Sequence, residues 1–396
     1  MPFSTNKYGK GLIGHFCVIG VVSCDYGGQW QKVIVQENGL LKVALVGCGR
    51  IAKRHAEILS SGAVQTMCLV AVCDVKSDRV SHFQNAYAAE GFSDMHEMMS
   101  SIEVDIVVVT TPSGLHAEHV LALSIYKKHI VVEKPMALTV SDADKMIEAC
   151  ASAGVNLFVV KQNRFNVPVL KLKDTFVSGR FGKVVCGSVR VRWCRTQDYY
   201  DLDEWRGTWA QDGGVIANQA IHHIDLLMWL LGEVNSVYAL TSTALVDIEV
   251  EDTAVICLRF ASGALGVLEL TTAARPTDLE GSLSILGENG VVEIGGFAVN
   301  QIKTWNFNSE KEHDEKLLEQ YSTNPPDVYG FGHSAFYQHV SDALYGIPQR
   351  EIIDGIEGRK SLELISAIYQ SAETGMPVEP GNGFSNIRLG CRDVVR

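Results

Sequence analysis

The stretch LKVALVGCGRIAKRHAEILSSG, beginning at Leu41, constrains the fold more than any other part of the chain. An apolar run ends on Gly47-Cys48-Gly49-Arg50-Ile51-Ala52, and apolar residues then recur at helical spacing. Strand, glycine turn and helix in that order make a phosphate cradle. Gly47 permits the tight turn, Gly49 lets main-chain N–H groups approach a pyrophosphate, and Ala52 is small enough for the helix to lie on the strand. The helix N-terminus then aims its unpaired N–H groups at the phosphates. A second strand, CLVAVCDV, ends on Asp74, whose carboxylate suits the hydroxyls of an adenosine ribose and repels a 2′-phosphate. Asp74 lies further from the glycines than the usual ~20 residues, a difference the SSGAVQTM loop absorbs. NAD is the expected cofactor, with NADP kept as the alternative by Lys76 and Arg79.

Further strands at VDIVVVTTPSGLHAEHV, HIVVEKP and VNLFVVKQNRF alternate with helical segments, which predicts a parallel sheet covered on both faces. Ligands of such sheets lie beyond the carboxyl ends of the strands. Those ends carry Thr110, Thr111, Pro112, Ser113, His116, Glu133, Lys134, Gln162, Asn163 and Arg164. Lys134 is therefore aimed at the cofactor crevice rather than at open solvent. His116 and His119 form an H-x-x-H, but no carboxylate or cysteine stands at a suitable spacing, so no metal is expected.

After Arg164 the texture changes. In GKVVCGSVRVRWCR the residues alternate, with Val189, Val191, Trp193 and Arg195 on one face and Arg190 and Arg192 on the other. Hairpin signals follow at Ser262-Gly263 and Asn289-Gly290. They predict a mostly antiparallel sheet with one open face, a surface suited to self-association. A final helix, GIEGRKSLELISAIYQSAETG, closes the fold. The expected class is α/β. A Rossmann-type doubly wound parallel sheet occupies 41–163, and an α+β domain with a large open sheet occupies 164–396. Residues 1–40 are read as an extension outside the fold.

Composition excludes several classes. A net charge of −12 over 396 residues argues against nucleic-acid binding. No apolar run reaches the ~20 residues of a membrane helix. The ten cysteines are scattered through apolar runs without a C-x-x-C pair, as reduced thiols in the cytoplasm would be. GLIGHFCVIGVVSC faintly resembles a signal peptide with a lipoprotein-type end, but Gly14, His15 and Gly20 interrupt it, so export is not expected.

The segment DGGVIANQAIHHIDLLMWLLG carries Asn218, His222 and Asp225 at i, i+4 and i+7 of an otherwise apolar helical pattern, while His223 points elsewhere. Three polar groups on one buried stripe cost free energy unless they are used. A site is expected there.

VGCGRIAKRHA, TTPSGLHAEH, EKPMALT and the His222 segment stand in an order and spacing that resembles the glucose-fructose oxidoreductase / inositol dehydrogenase family, from Leu41 onward. The resemblance implies that Lys134 and His222 are catalytic and that Pro135 shapes the turn. It also implies that Gly47, Gly49, Arg50, Ile51, Asp74, Thr110, Thr111, Pro112, Ser113, His116, Glu133, Lys134 and Gln162 hold NAD. That family often has an aspartate where this chain has Asn218. KQNRFN, YYDLDEWRGTWAQDGG, NQAIHHIDLL and TTAARPTDLEGSLSILGENG resemble the bacterial UDP-N-acetylglucosaminuronate 3-dehydrogenases, in which asparagine occupies that position. The implied reaction is NAD-dependent oxidation of the C3 hydroxyl of a UDP-linked acetamido-uronic acid, supplying surface-polysaccharide (O-antigen) synthesis. His222 serves as base and Lys134 offsets the alkoxide charge, with the two roles exchangeable. Arg164, Arg195, Arg206 and Arg275 are candidates for the anionic groups of the substrate, and Asn163, Tyr199, Tyr200 and Asn218 for its sugar or base. By the same resemblance 2-oxoglutarate is a candidate electron acceptor, and a dimer or tetramer is expected. The rivals are another sugar or inositol dehydrogenase and a non-catalytic sensor of NAD or sugar. Retention of both the lysine and the histidine disfavours the sensor.

Overall fold

The computed structural model describes residues 39–309 apart from 297, residues 332–391 apart from 382, 385 and 386, positions 314, 317, 320 and 321, and the backbone of 20–24 and 30–34. In the extension, β1 (Gly20–Cys24) pairs antiparallel with β2 (Trp30–Ile34). The rest of the signal-like stretch lies outside the described residues.

The first sheet holds β3 (Leu41–Val46), β4 (Met67–Cys73), β5 (Glu90–Phe92), β6 (Ile106–Val109), β7 (His129–Val132) and β8 (Leu157–Val159). All pairings are parallel, in the order β5-β4-β3-β6-β7-β8. The order reverses between β3 and β6, which opens a crevice at their carboxyl ends. Alternate residues enter two dry layers. Ala44, Val107, Val109 and Val132 pack on one face, and Val43, Leu45, Val108 and Val131 on the other. The connecting helices are α1 (Arg50–Ser60), α2 (Ser77–Tyr87), α3 (Met95–Ser101), α4 (His116–Ser124) and α5 (Val140–Ala153). Asp94 caps α3 and Thr139 caps α5 through main-chain N–H groups of the first turn.

The second sheet follows α6 (Val167–Val177). It contains β9 (Val184–Arg192), β10 (Val234–Ser242), β11 (Thr253–Phe260), β12 (Leu265–Thr271), β13 (Glu280–Gly287), β14 (Gly290–Gly295) and β15 (Gln301–Phe307). Between β9 and β10 come the short α7 (Gln197–Tyr200) and α8 (Ile221–Leu231). The strand order is β10-β11-β12-β9-β13-β14-β15, antiparallel except for the β9–β12 pair. Both expected hairpins form, the first around Ser262-Gly263 and the second with its turn at Glu288-Asn289, one residue ahead of the expected Asn289-Gly290 because Gly290 already pairs with Gly287. Val189, Val191 and Trp193 are buried, whereas Arg190 and Arg192 face outward among Glu269, Glu280 and Glu293. On that outer face Leu240, Val255 and Leu265 are about half exposed.

The chain then returns to the first sheet. The apolar side of α9 (Gly332–Leu344), with Phe336, Tyr337 and Val340, is buried beside Val43 and Leu45. The sequence had assigned everything beyond 164 to the second body, but the aromatic face of α9 finds its apolar partner on the parallel sheet. Next, α10 (Gly355–Thr374) runs against both sheets. A Cβ on Gly358 would come within 2.5 Å of Val159, and Ser371 accepts the N–H of Ala239 at 3.1 Å. Among the described residues no helix is long and apolar enough to cross a membrane. The described cysteines are free thiols.

Candidate active site

A cleft of about 530 Å³ runs along the carboxyl ends of β3, β4, β6 and β7 and is walled on its far side by the loops between β9 and α8. At one end Gly47 adopts φ +99°, and a Cβ there would sit 2.8 Å from the main chain of Thr110. Only glycine fits. A Cβ on Gly49 would meet nothing within 4 Å, because that position faces the open cleft. Gly49 also precedes α1, whose N-terminus no side chain caps. Bare N–H groups facing an open groove suit a pyrophosphate. Asp74 accepts from the N–H of Cys48 at 2.7 Å and of Lys76 at 2.8 Å, so the carboxylate is pinned beside the glycine turn. Arg79 is held by Asp203 of the second lobe at 3.0 Å, which commits its guanidinium to a carboxylate. The structure thus fits a dinucleotide. Asp203, like Ser93, Asp94 and Met95 of the lining, carries no motif by which the sequence could have marked it.

Thr110, Thr111, Pro112, Ser113, His116, Glu133 and Lys134 line the middle of the cleft as expected, together with Arg50 and Ile51. His116 is a buried strut. Its ring nitrogens lie 2.8 Å from the Pro135 carbonyl and 2.9 Å from the Thr111 carbonyl, so it ties two strand-end turns together. His119 meets the Thr111 hydroxyl at 2.9 Å. The two histidines of the H-x-x-H therefore meet different groups of Thr111, His116 its carbonyl and His119 its hydroxyl. A different group, His55, Glu133 and His333, brings its ligand-type atoms within 4.8 Å of one another. There His55 lies 3.0 Å from Glu133 and 2.6 Å from the Tyr337 hydroxyl, a hydrogen-bonded chain behind the turn that bears Lys134.

At the other end the two lobes meet. Lys134 Nζ donates to the Asn218 main-chain carbonyl at 3.0 Å and to its side-chain oxygen at 3.3 Å. The expected single helix from Asn218 is broken. Val215–Gln219 forms a π turn, Ala220 N–H bonds back to Val215 at 2.8 Å, and α8 begins only at Ile221. The extra residue takes the Asn218 carbonyl out of helical register and turns it to the lysine. His222 follows on α8, its Nε2 3.1 Å from the Gln162 amide nitrogen. Burial, and next the Lys134 charge, hold the His222 imidazolium well below its ordinary range, so the ring is neutral. Burial also lowers the Lys134 ammonium, while the Glu133 and Asp212 carboxylates oppose the shift. Asp212, fully buried beside Asn218, was not singled out in the sequence.

Several residues expected at the substrate do not line the cleft. Arg164 and Asp225 turn inward to each other, joined by Lys161 and Glu357, because a buried carboxylate beneath α8 draws both cations. Asn163 is buried within the 162–165 turn. The Tyr200 hydroxyl is taken by Thr272 at 3.1 Å. Arg275 spends its guanidinium on the carbonyls of Thr272, Ala274 and Arg195. Of the arginines expected at the substrate, Arg195 and Arg206 do line the cleft. Arg195 lies over Trp193 and Tyr199 and pairs with Asp278, and Arg206 lies over Tyr199 and Trp205. Trp193 and Trp205 also line the cleft, and the sequence did not mark them as site residues, since nothing local distinguishes a cleft wall from a core.

Residues 41–161 match the family described as "Oxidoreductase family, NAD-binding Rossmann fold", and residues 169–293 match the "GFO/IDH/MocA C-terminal domain". The chain is similar to the WlbA dehydrogenase from Bordetella pertussis, whose crystal structure is in complex with NADH and UDP-GlcNAcA. That likeness has 40% identity and a TM-score of 0.81, over 87% of this chain and 99% of that one. The corresponding WlbA complex from Chromobacterium violaceum gives 41% identity and a TM-score of 0.81, over 88% of this chain and 98% of that one. The myo-inositol 2-dehydrogenase of Thermotoga maritima is 35% identical over 236 residues, 58% of this chain and 68% of that protein.

Proposed function

Since the chain belongs to the Gfo/Idh/MocA family of NAD-dependent sugar dehydrogenases, we propose that it oxidises the C3 hydroxyl of UDP-N-acetylglucosaminuronic acid to the 3-keto sugar. The observation that carries this reading is the convergence of Lys134 and His222, from different lobes, on one end of one cleft. NAD, when bound, takes the hydride. Gly47, Gly49, Arg50, Ile51, Asp74 and the Thr110–Ser113 turn hold it, and His116, Glu133 and Gln162 order its surroundings. Losing a hydride leaves an alkoxide whose proton must be taken and whose charge must be offset. His222, neutral and buried, is the base. Lys134 spends two N–H groups on Asn218 and keeps the third for the sugar oxygen.

The anionic substrate is supported by Arg195 and Arg206, two cations concentrated in the cleft of a chain whose net charge is −12. A neutral cyclitol, the substrate class named for the Thermotoga relative, would offer neither arginine an anionic partner beyond the Asp278 and Asp203 carboxylates they already meet. Support for the sugar nucleotide comes from the two WlbA complexes, which match over nearly their whole length. The same reading places the enzyme in the cytoplasm, supplying surface-polysaccharide synthesis, and makes the open face of the second sheet the contact of a dimer or tetramer. The test is a panel of UDP-sugars and inositols with NAD, with and without 2-oxoglutarate, read by mass spectrometry for loss of two hydrogens. Turnover of the UDP-acetamido-uronic acid alone is expected. Faster turnover of UDP-N-acetylglucosamine or myo-inositol overturns the reading.

A further inference from the structure

We propose that Asp212 is a positioning residue for the reaction: through the Asn218 amide it holds Lys134 as an ammonium ion with one N–H free for the substrate oxygen. The inference rests on the role given to Lys134 above and extends it to a residue that does not line the cleft.

Asp212 has no exposed surface and lies in the loop between α7 and the π turn. One carboxylate oxygen accepts the Gly207 N–H at 2.8 Å, and the other accepts the side-chain N–H of Asn218. A carboxylate only accepts and an ammonium only donates, so an amide between them has a single orientation. Its nitrogen faces Asp212 and its oxygen faces Lys134, 3.3 Å from Nζ. The main-chain carbonyl of Asn218 takes a second N–H at 3.0 Å. Were Lys134 a neutral amine, that oriented amide would offer its nitrogen lone pair no donor. The anion thus selects the charged form at a distance, each hydrogen bond polarising the next. A role confined to bracing the Gly207 loop accounts for the first bond and leaves the second, and the set of the amide, unexplained.

The surroundings are mixed. Lys134 faces Glu133 at the end of β7, Arg195 and Arg206 from the loops after β9, and His222 on α8. Asp212 faces Arg206, Lys134, Tyr200 on α7 and Glu251 ahead of β11. Burial pushes the Asp212 carboxyl up to about 6, against the Gly207 bond and the Arg206 charge, so it is ionised at neutral pH.

The experiment needs no substrate. The full chain, free of NAD, is pulse-labelled by reductive methylation across a pH series, and Lys134 modification is read by peptide mass spectrometry. In Asp212→Asn the midpoint of Lys134 labelling should fall by about one pH unit or more, because an anion that favours the ammonium is gone. The exposed Lys145 is the internal control and should not move. Should Asp212→Asn fail to fold, Asn218→Ala cuts the same link and should lower the midpoint likewise. A Lys134 midpoint unchanged in whichever variant folds overturns the proposal. Turnover adds a second readout on whichever sugar the enzyme accepts: the alkaline limb of kcat/KM should move to lower pH by the same amount. A labelling shift without turnover of the UDP-uronic acid would sink the substrate assignment and leave Asp212 in place.

Discussion

Glu133 places one carboxylate oxygen 3.0 Å from His55 Nε2 and the other 2.8 Å from the N–H of Lys134. The residue before the lysine therefore anchors the lysine's own backbone, and His55 passes the anchor to Tyr337 on α9 at 2.6 Å. Burial raises the Glu133 carboxyl, but the His55 bond and the charges of His55 and Lys134 outweigh it and hold it at about 2. A folded pKa below the ordinary glutamate value stabilises the protein above pH ~4.5, and that contribution is lost as pH falls toward 2. Glu133→Gln should lower the unfolding free energy by about 3 kcal/mol near neutrality. Urea titrations across a pH series should show the gap to wild type closing in acid.

Lys134→Ala and His222→Ala should each lower kcat by about 10²–10⁴-fold, the range for a lost proton-transfer or charge-stabilising group. Equilibrium binding of NAD, measured by tryptophan fluorescence, should change far less, because the Gly47–Asp74 end of the cleft is untouched. Turnover within a few-fold of wild type would refute both roles.

The hold of Asp203 on Arg79 makes a prediction about cofactor choice. In Asp203→Ala the guanidinium is released next to Asp74 and becomes available to a 2′-phosphate. The preference for NAD over NADP, measured as a ratio of kcat/KM, should shrink by about tenfold, the ~1.4 kcal/mol of one charge-assisted contact. Asp74→Ser in the same background should shrink it further.

Beneath α8, Asp225 joins Lys161 and Arg164, all three almost wholly buried. Removing the shared anion strands two cations in the interior. Asp225→Ala should cost about 3–5 kcal/mol of stability by chemical denaturation. The partly exposed Glu357→Gln should cost clearly less, since its carboxylate is only one of the Arg164 partners.

The cofactor half was legible in the sequence because its determinants are local. Gly47, Gly49 and Asp74 act through backbone geometry and strand ends that a few neighbouring residues dictate. The substrate half was legible only in part. Asn218 and His222 were found by their spacing, yet the π turn that aims Asn218 was not, because one extra residue in a helix leaves no compositional trace. Arg164 and Arg275 looked as available as Arg195 and Arg206. What separates them is where each side chain is drawn: Asp225, distant in sequence, takes Arg164 into the interior, and Arg275 folds back on the carbonyls of Thr272, Ala274 and Arg195, whereas Arg195 and Arg206 line the cleft with Asp278 and Asp203 beside them. Asp212 stayed hidden beside two glycines for the same reason: its meaning depends on a lysine contributed by the opposite lobe.

That Lys134 reaches over to a main-chain carbonyl of the other lobe couples two properties usually treated as independent. A tilt of one body against the other would carry the Lys134 amine with it through that hydrogen bond. A substitution distant from the cleft that rocks the lobes by a fraction of an ångström would register as slower chemistry rather than weaker binding. Screens that score only affinity would pass over it.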